Sequence, residues 1–562
     1  MLQLNFRPIN IGTENFKRLI DNGYYYVDKT LMIKDIIDKN NSQITLFTRP
    51  RRFGKTLNMS MIQYYFEKTE QDNSYLFNNL KISQAGDKYK AHMGQYPVIS
   101  LSLKSMKQAT YESSFALFKK IISDEFDRHR QVLKSQNLSE SDKKKYESIC
   151  DDTADKDLYL YSVKFLSDCL CKAYEKNVII LIDEYDVPLE NAYFRGYYNE
   201  MTDLIRSVFE SALKTNNSLE FGILTGCLRV SKESIFTGLN NLKINSIITT
   251  DYSEYFGFTE PEVKTMLESY NISERFDDVK GWYNGYIFGK TPIYNPWSIL
   301  NFISDLIGDI NAITKPYWSN TSSNDIIREL IFTGGEETRA TLQELMNGKS
   351  VKKPIYEDIT YRNVDINSDY IWSFLLFTGY LKQIDMYLKE DTPYCEMVIP
   401  NREVRSIYKN TIMQWFKEKI RNTGTSELFN AVVIGDTDTF TKEVNKWLRK
   451  CISYQDNYES FYHGFLAGLL LGTDEYTVKS NRENGKGRTD IVICEYQGRS
   501  VAVIIEIKIA GKYKELDKKC DEALMQIEER NYEAELFDDG YENIIKYGVA
   551  FCSEKVCKVK KK

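Results

Sequence analysis

The stretch RPRRFGKT, residues 49–56, has the residue types that bind phosphate. It ends in Gly54, Lys55 and Thr56. Such a triplet offers backbone N–H groups at a helix N-terminus, a lysine for the β- and γ-phosphates and a hydroxyl for Mg²⁺. The general phosphate-loop pattern begins with glycine, where this chain has Arg49. Because a Gly-Lys-Thr triplet is common by chance, the surrounding sequence must decide whether the loop binds a nucleotide.

The surrounding sequence fits a nucleotide site. An apolar run, residues 44–47, precedes the loop and helix-spaced apolar side chains follow it, so strand, loop and helix are in the required order. Farther along, VIILIDEYD predicts a buried parallel strand that ends in Asp183 and Glu184. In this Walker B arrangement Asp183 and Thr56 hold Mg²⁺, and Glu184 orients the attacking water. The alternative is a strand capped by two solvated carboxylates.

Four further polar residues are candidates for the same site. Thr225 ends another apolar run and is expected to sense the γ-phosphate, and Arg229 is expected to neutralise transition-state charge. A polar strand end followed by a surface arginine explains these two residues equally well. Arg51 and Arg52 are expected to add positive charge near the phosphates, while Pro50 stiffens the turn that glycine would otherwise permit.

A second constellation lies near the C-terminus, in GRTDIVICEYQGRSVAVIIEIKIA. Two strands joined by a turn centred on Gly498 set Asp490 opposite Glu506, with Cβ atoms about 5 Å apart, close enough to share a divalent cation. Strand alternation places Lys508 on the same face as Glu506. Two carboxylates and an ammonium group suit metal-dependent phosphodiester hydrolysis. The alternative is a surface charge pair on an edge strand, with Asp490 as a cap.

Residues outside these two strands are further candidates for the C-terminal site. Glu459, on a helix-like stretch, is an expected extra metal ligand, and Glu483 is its rival. Gln526 is expected to orient water or substrate. His463 lies one helical turn after Glu459, and packing is its simpler explanation.

Composition limits the class of protein. The chain has 562 residues, 42% hydrophobic and 27% charged, which indicates a globular protein of roughly three or four domains. Its apolar runs are too short for a membrane helix and it opens without a targeting leader, so we expect a cytoplasmic protein without a membrane partner. Three histidines and no paired-cysteine motif disfavour a structural zinc site, and a net charge of -6 disfavours a uniformly basic nucleic-acid binder.

The element pattern predicts three parts. Strand-like runs alternate with longer helix-like stretches in residues 1–250, which predicts an α/β domain with a parallel sheet. Residues 251–450 are mainly helical by pattern and are expected to form a lid or linker. Residues 451–562 return to strands and helices, as a separate α/β domain would.

Several motifs together resemble a known family. YYYVDKT, RPRRFGKT, LIDEYDVPL, TGCLRVSKESIFTGLNNL and YFGFTEPEV are similar to segments of AAA-ATPase-like proteins that carry a C-terminal PD-(D/E)XK nuclease domain, a largely bacterial group. The resemblance implies an N-terminal P-loop NTPase of AAA type and a C-terminal restriction-endonuclease-like domain. It assigns the nuclease metal ligands to Asp490 and Glu506 and the catalytic lysine to Lys508. Arg49 is normal in that family.

The leading hypothesis is an ATPase whose nucleotide state controls a Mg²⁺-dependent nuclease, with DNA the expected nucleic acid. A role in defence or mobile-element biology fits this pairing. One alternative is a nucleotide-regulated scaffold or signalling ATPase whose C-terminal domain binds nucleic acid or a partner without cleavage. Another is a nucleotide-dependent clamp that scarcely hydrolyses. Assembly into a homo-oligomer is compatible with all three hypotheses.

Overall fold

The computed structural model describes residues 7–39, 42–229, 235–236, 241–320, 336–359, 369–421, 426–451, 459–470, 476–484, 487–495, 501–552 and 556–562. The chain divides into two compact units. The first comprises Met1–Ser323 and Gly348–Ser406, and the second comprises Asn324–Asn347 and Ile407–Lys562. Each unit is described by itself.

A five-stranded parallel sheet forms the centre of the first unit. Its strands are β1 (Ile44–Thr48), β2 (Val98–Ser102), β3 (Val178–Asp183), β4 (Leu219–Gly226) and β5 (Leu242–Asn245). They lie in the order β2-β3-β4-β1-β5, and every neighbouring pair is parallel. The parallel sheet predicted for the N-terminal part is therefore confirmed. The order places the ends of β1, β3 and β4 side by side at the carboxyl edge, where ligands of open α/β sheets bind.

Helices surround this sheet because their apolar faces pack on it. They are α1 (Phe16–Asp21), α2 (Leu31–Asp38), α3 (Lys55–Phe66), α4 (Asp87–Lys90), α5 (Tyr111–Arg128), α6 (Glu140–Cys150), α7 (Lys156–Tyr174), α8 (Val187–Arg195) and α9 (Tyr198–Phe209). Short 3₁₀ turns occupy Ser74–Phe77, Lys81–Gln84 and Arg130–Lys134, and a π turn occupies Glu210–Lys214. The local sequence determines where two of these helices begin. Ser139 and Asp142 form a capping box at the start of α6, and the Asp155 side chain caps the start of α7.

The remainder of the first unit combines helices with two small antiparallel sheets. Its elements are β6 (Phe258–Thr259), α10 (Glu260–Ser269), α11 (Phe276–Tyr283), β7 (Tyr286–Phe288), β8 (Thr291–Tyr294), α12 (Pro296–Gly308), β9 (Val351–Pro354), α14 (Asp369–Phe377), β10 (Lys382–Lys389), β11 (Thr392–Val398) and the start of α15 (Arg402–Arg421), with 3₁₀ turns at Ser273–Arg275 and Tyr317–Asn320. The sheets have the orders β6-β8-β7 and β10-β11-β9. Helices predominate as predicted for the middle region. The short strands were not anticipated, because their aromatic and glycine-rich sequences resemble loops.

The second unit is built on a mixed five-stranded sheet. Its helices are α13 (Glu336–Met346), the remainder of α15, α16 (Ser426–Ile434), α17 (Thr437–Cys451), α18 (Glu459–Leu470), α19 (Leu516–Glu529) and α20 (Ala534–Asp538). Its strands are β12 (Tyr476–Asn484), β13 (Gly487–Glu495), β14 (Val501–Ala510), β15 (Asn543–Cys552) and β16 (Val556–Lys561), in that order across the sheet, and a 3₁₀ turn occupies Tyr513–Glu515. Only β14 and β15 pair in parallel, and the connection between them contains α19.

A glycine lets α19 pack closely on this sheet. Gly548 of β15 is the register partner of Glu506 in β14. A Cβ atom added at Gly548 would lie 2.2 Å from the backbone oxygen of Cys520 in α19, a distance that real contacts do not tolerate. The absence of a side chain therefore allows α19 to approach β14 and β15 directly.

Among the described helices, none combines the length and the apolar character needed to cross a membrane.

A buried carboxylate joins α12 to α15 within the first unit. Glu403, in the first turn of α15, is fully buried and accepts hydrogen bonds from the Ser298 hydroxyl at 2.8 and 2.9 Å and from the Trp318 N–H at 2.9 Å. Burial raises the pKa of Glu403 to about 7, although these hydrogen bonds favour the charged form.

This raised pKa predicts a pH-dependent stability. Since folded Glu403 holds a proton more tightly than the unfolded carboxyl, its contribution is fully present below about pH 4.5 and is lost as the pH rises to about 7. We expect the free energy of unfolding to fall by roughly 2 kcal/mol more in the wild type than in Glu403→Gln over that window. Urea unfolding followed by tryptophan fluorescence at pH 5 and pH 7.5 measures the difference. Identical pH dependence in the two proteins would contradict the assignment.

Candidate functional site

The loop between β1 and α3 has the backbone geometry of an anion site. Gly54 is the N-cap of α3 with φ 84°, and Arg52 also has a positive φ of 71°. These left-handed residues turn the chain so that α3 starts directly at Lys55. The first N–H groups of a helix have no partner within that helix and carry partial positive charge. The loop therefore offers the donors that the sequence predicted for phosphate.

Lys55 lies folded back on its own loop. Its Nζ donates to the carbonyl oxygens of Arg49 at 2.9 Å and Pro50 at 3.0 Å, and the side chain is buried. The Cys227 sulfur, just after β4, lies 3.7 Å from the same Nζ. The ammonium group is therefore held next to the loop by neutral acceptors, which a phosphate oxygen can replace with a stronger, charge-assisted bond.

A chain of hydrogen bonds joins three of the predicted residues across the strand ends. The Thr56 hydroxyl donates to Asp183 Oδ2 at 2.7 Å, and the Thr225 hydroxyl donates to Asp183 Oδ1. The Thr225 hydroxyl also accepts the backbone N–H of Glu184 at 3.3 Å. The threonine of the loop, the aspartate of β3 and the threonine of β4 thus lie together, as the sequence predicted. Hydroxyl and carboxylate oxygens are ligands that suit Mg²⁺.

Glu184 is the residue after Asp183 and lies beside this cluster. It has a left-handed backbone with φ 53° and lines the same cavity as Lys55. Burial raises the pKa of Glu184, and Asp183 raises it further, while Lys55 and Lys104 oppose the shift. A carboxylate with a raised pKa accepts a proton more readily, which is compatible with the predicted task of Glu184, to orient the attacking water.

The next acid of LIDEYD has a role that the sequence analysis missed. Asp186 Oδ2 accepts the N–H groups of Cys227 at 2.7 Å and Leu228 at 3.1 Å, and the side chain is buried. Asp186 thereby fixes the segment that follows β4. The clue in the sequence was a third carboxylate directly after the strand. Arg229, farther along this segment, forms an ion pair with Asp358 at 2.8 Å, so its transition-state role stays a prediction.

The other two arginines of the loop contact different elements. Arg51 forms an ion pair with Glu190 of α8. The Arg52 guanidinium lies 4.2 Å from the ring centre of Trp297, at the start of α12. Both arginines line the cavity next to Gly54 and Lys55, so both are within the site for which the sequence proposed them.

Arg49, at the position of the missing glycine, is completely buried. Its Nη1 donates to the carbonyl oxygens of Thr48 at 2.8 Å and Asn245 at 2.7 Å. The guanidinium lies over the rings of Phe256 and Phe288, with centres 5.0 and 5.2 Å away. Burial lowers the pKa of Arg49 to about 9, so the group remains charged at neutral pH. Arg49 therefore joins the loop to β5 and β7 and is not exposed to a ligand.

Phe53 strengthens the same attachment. Its ring lies 4.9 Å from that of Tyr286 and 5.2 Å from that of Phe288, and its carbonyl oxygen accepts the Gly257 N–H at 3.0 Å. A Cβ at Gly257 would lie 2.3 Å from Ile293, so glycine is required for this close approach. The loop is thus packed on the small sheet that follows the five-stranded parallel sheet.

A cavity of about 260 Å³ lies in front of the loop. Its lining combines charged and polar residues with aromatic and apolar ones. The first group includes Arg51, Arg52, Gly54, Lys55, Thr56, Lys104, Lys107 and Glu184, and the second includes Tyr25, Val27, Phe258, Met266, Trp297 and Leu300. Such a lining suits a ligand that carries both charged and flat apolar groups.

The C-terminal carboxylates lie in the predicted register. Four pairs from Ile491 with Ile505 to Cys494 with Ala502 join β13 and β14, and the next position sets Asp490 opposite Glu506. Asp490 Oδ2 accepts the Ile507 N–H at 2.8 Å. The register predicted for the two strands is confirmed as far as Ile491 and Ile505, whereas the turn around Gly498 lies outside the described residues.

The structure places Lys508 and Gln526 beside Glu506. The Lys508 Nζ lies 3.6 Å from Glu506 Oε1, and the Gln526 side chain, from α19, donates to the same oxygen. Glu506 is only 2% exposed, which excludes the alternative of a surface ion pair on an edge strand. Because β14 is central and α19 covers this face, a charged group here must be held by specific partners.

The remaining candidates differ in how far they are described. His463 Nε2 lies 2.7 Å from the Asp490 backbone oxygen, so this ring nitrogen carries the proton and supports the end of β13. Glu459 and Glu483 lie on α18 and β12, but their side chains are outside the described residues.

Burial is the main cause that raises the pKa of Asp490. Two carboxylates at one strand edge fit a hard divalent cation such as Mg²⁺.

Comparison with known families identifies two regions of the chain. Residues 10–236 match the family described as predicted AAA-ATPase, and residues 457–561 match the PD-(D/E)XK nuclease superfamily. A protein of Azotobacter chroococcum mcd 1, described as an uncharacterized protein in vnfD 5'region, is 24% identical over 545 residues, which are 94% of this chain and 93% of that protein. These matches confirm the resemblance, and with it an AAA-like N-terminal part and a nuclease-like C-terminal part.

The burial of Arg49 predicts the effect of restoring the consensus glycine. Arg49→Gly removes a large buried side chain from beneath two phenylalanine rings, so we expect a loss of about 3 kcal/mol in the free energy of unfolding. The matched control is Arg52→Gly in the same loop, where relief of the positive φ offsets the lost ring contact to within about 1 kcal/mol. Denaturant unfolding compares the variants. A stable Arg49→Gly protein would show that the arginine does not anchor the loop.

Proposed function

We propose that this protein binds ATP with Mg²⁺ at the phosphate loop and hydrolyses it, and that nucleotide state controls a Mg²⁺-dependent nuclease in the second unit. The observation that supports the nucleotide site most directly is the bonded series of Thr56, Asp183 and Thr225 beside Lys55. The observation that supports the nuclease is the group of Asp490, Glu506, Lys508 and Gln526 on two adjacent strands and α19.

In the nucleotide site the residues of this chain have distinct tasks. The N–H groups of the loop and the Lys55 ammonium bind phosphate oxygens, and Arg51 and Arg52 add positive charge at the cavity wall. Thr56 and Asp183 would hold Mg²⁺, which neutralises charge on the phosphates. Thr225 keeps Asp183 in place, and Glu184 receives a proton from the attacking water. The aromatic residues of the cavity lining, among them Tyr25 and Trp297, suit a nucleobase.

In the nuclease site, Asp490 and Glu506 would hold Mg²⁺, which supplies an activated water for attack on the phosphodiester. Lys508 offsets charge that develops on the phosphate, and Gln526 holds Glu506 through its side-chain amide. His463 supports the backbone of Asp490. Glu459 remains a proposed further ligand, and Glu483 remains its rival.

DNA is the proposed substrate, a cytoplasmic location is expected, and a role in defence against foreign DNA or in mobile elements fits the pairing of modules. The alternative is a nucleotide-regulated scaffold or signalling ATPase. In that case the second unit would bind nucleic acid without cutting it. Assembly into a homo-oligomer stays a proposal.

Cleavage assays separate these alternatives. The full-length protein is incubated with single- and double-stranded DNA and RNA, with and without Mg²⁺. We expect DNA cleavage that requires Mg²⁺ and that falls at least about 100-fold in Asp490→Asn, since the variant loses a charged metal ligand. The matched control is Asp521→Asn, an aspartate on the outer face of α19 that pairs with Lys560. Full cleavage by Asp490→Asn would refute the site, and intact substrates with the wild type would favour the scaffold.

A further inference from the structure

The contact between Arg52 and Trp297 leaves the arginine able to bind a second group. Arg52 has no acidic partner among the residues that the structure describes, and its guanidinium carbon lies over the indole, 4.2 Å from the ring centre. A guanidinium has five N–H donors, so its contact with one ring leaves donors for phosphate oxygens. Both side chains line the cavity in front of the loop. A nucleotide phosphate bound there would therefore act on Arg52 and Trp297 together.

Hydrogen bonds also hold Trp297 to Asn295 and Tyr317. It lies in the first turn of α12, where the Asn295 side chain caps its backbone N–H at 2.9 Å. The indole N–H donates to the Tyr317 carbonyl oxygen at 3.2 Å. The next residue along, Trp318, donates its backbone N–H to Glu403 at 2.9 Å. The indole that contacts Arg52 is thus bonded to Tyr317, and the adjacent residue, Trp318, bonds directly to Glu403 of α15.

Ser298 makes a second connection to the same carboxylate. It follows Trp297 in α12, and its hydroxyl bonds both oxygens of Glu403. Glu403 is buried and in the first turn of α15, so α12, the 317–320 turn and α15 meet at one charged group. Because a buried carboxylate is costly when it loses a donor, these three elements are constrained to move together.

The boundary between the two units falls within α15, the helix that contains Glu403. The first unit ends at Ser406 and the second resumes at Ile407, both within α15. The residues of α15 from Ile407 onward therefore belong to the second unit, while Glu403 belongs to the first. Backbone hydrogen bonds join each residue of a helix to the residue four positions later, so a change at the first turn acts directly on the turn that follows.

We propose that Arg52, Trp297, Ser298 and Glu403 form a relay that couples phosphate occupancy of the cavity to the first turns of α15. Trp297 is a positioning residue: it holds the Arg52 guanidinium toward the phosphates and passes the resulting constraint to α12. This inference rests on the proposed nucleotide binding and specifies how nucleotide regulates the second unit.

Hydrogen exchange of the full-length protein tests the relay without reference to catalysis. Exchange in residues 402–411 is measured with and without ATPγS and Mg²⁺, and calorimetry records binding separately. In the wild type the nucleotide slows exchange there severalfold. In Trp297→Leu the nucleotide binds about two- to fivefold more weakly and the response in α15 is lost. In Ser298→Ala the affinity is unchanged and the response is again lost.

Trp282→Leu is the matched control, because Trp282 is a partly buried tryptophan of α11 outside the cavity lining. It keeps both the affinity and the response. If nucleotide binds the wild type but leaves exchange in 402–411 unchanged, or if Trp297→Leu keeps the full response, the relay is refuted while nucleotide binding stands. If no nucleotide binds the wild type, the proposed nucleotide site fails and the relay fails with it.

Discussion

The packing of the buried Arg49 guanidinium is the interaction on which the proposed nucleotide site depends. A charged group inside a protein is costly unless other groups compensate it. Arg49 donates from Nη1 to two carbonyl oxygens and lies over two aromatic rings, whereas its Nε and Nη2 have no hydrogen-bond partner among the described residues. These partners belong to β1, β5, β7 and the segment before β6. The phosphate loop therefore has a shape determined by the small antiparallel sheet beside it, whereas a glycine-led loop is shaped by its own backbone freedom.

This constraint explains how the other residues of the loop reach their positions. With Arg49 and Phe53 packed on β7, the intervening arginines contact different elements, Arg51 pairing with Glu190 of α8 and Arg52 lying over Trp297 of α12. The chain then turns through Gly54 into α3, which sets Thr56 against Asp183. In the second unit Gly548 has a comparable effect, because it lets α19 approach the sheet and brings Gln526 to Glu506.

The sequence predicted those features of the two sites that depend on residues close together in the chain. The order of strand, loop and helix predicted the positions of Gly54, Lys55 and Thr56. The turn centred on Gly498 predicted the register of Asp490 and Glu506, and period-two alternation put Lys508 on the same face as Glu506. It did not predict the burial of Arg49, because its partner Asn245 is 196 residues away and no periodicity links the two. Trp297 and Glu403 were missed for the same reason. The short strands β6 to β8 were missed because their pairing, and not their propensity, forms them.

The central claim is that RPRRFGKT is a working phosphate loop despite the arginine at its start. Calorimetric titration of the full-length protein with ATP and Mg²⁺ tests it most directly, with Lys55→Ala as the variant and Lys68→Ala, an exposed lysine beyond α3, as the control. We predict saturable binding to the wild type and the control, and an affinity at least about tenfold lower for Lys55→Ala, as expected for a lost charge-assisted hydrogen bond. Equal affinity of Lys55→Ala and the wild type would contradict the claim.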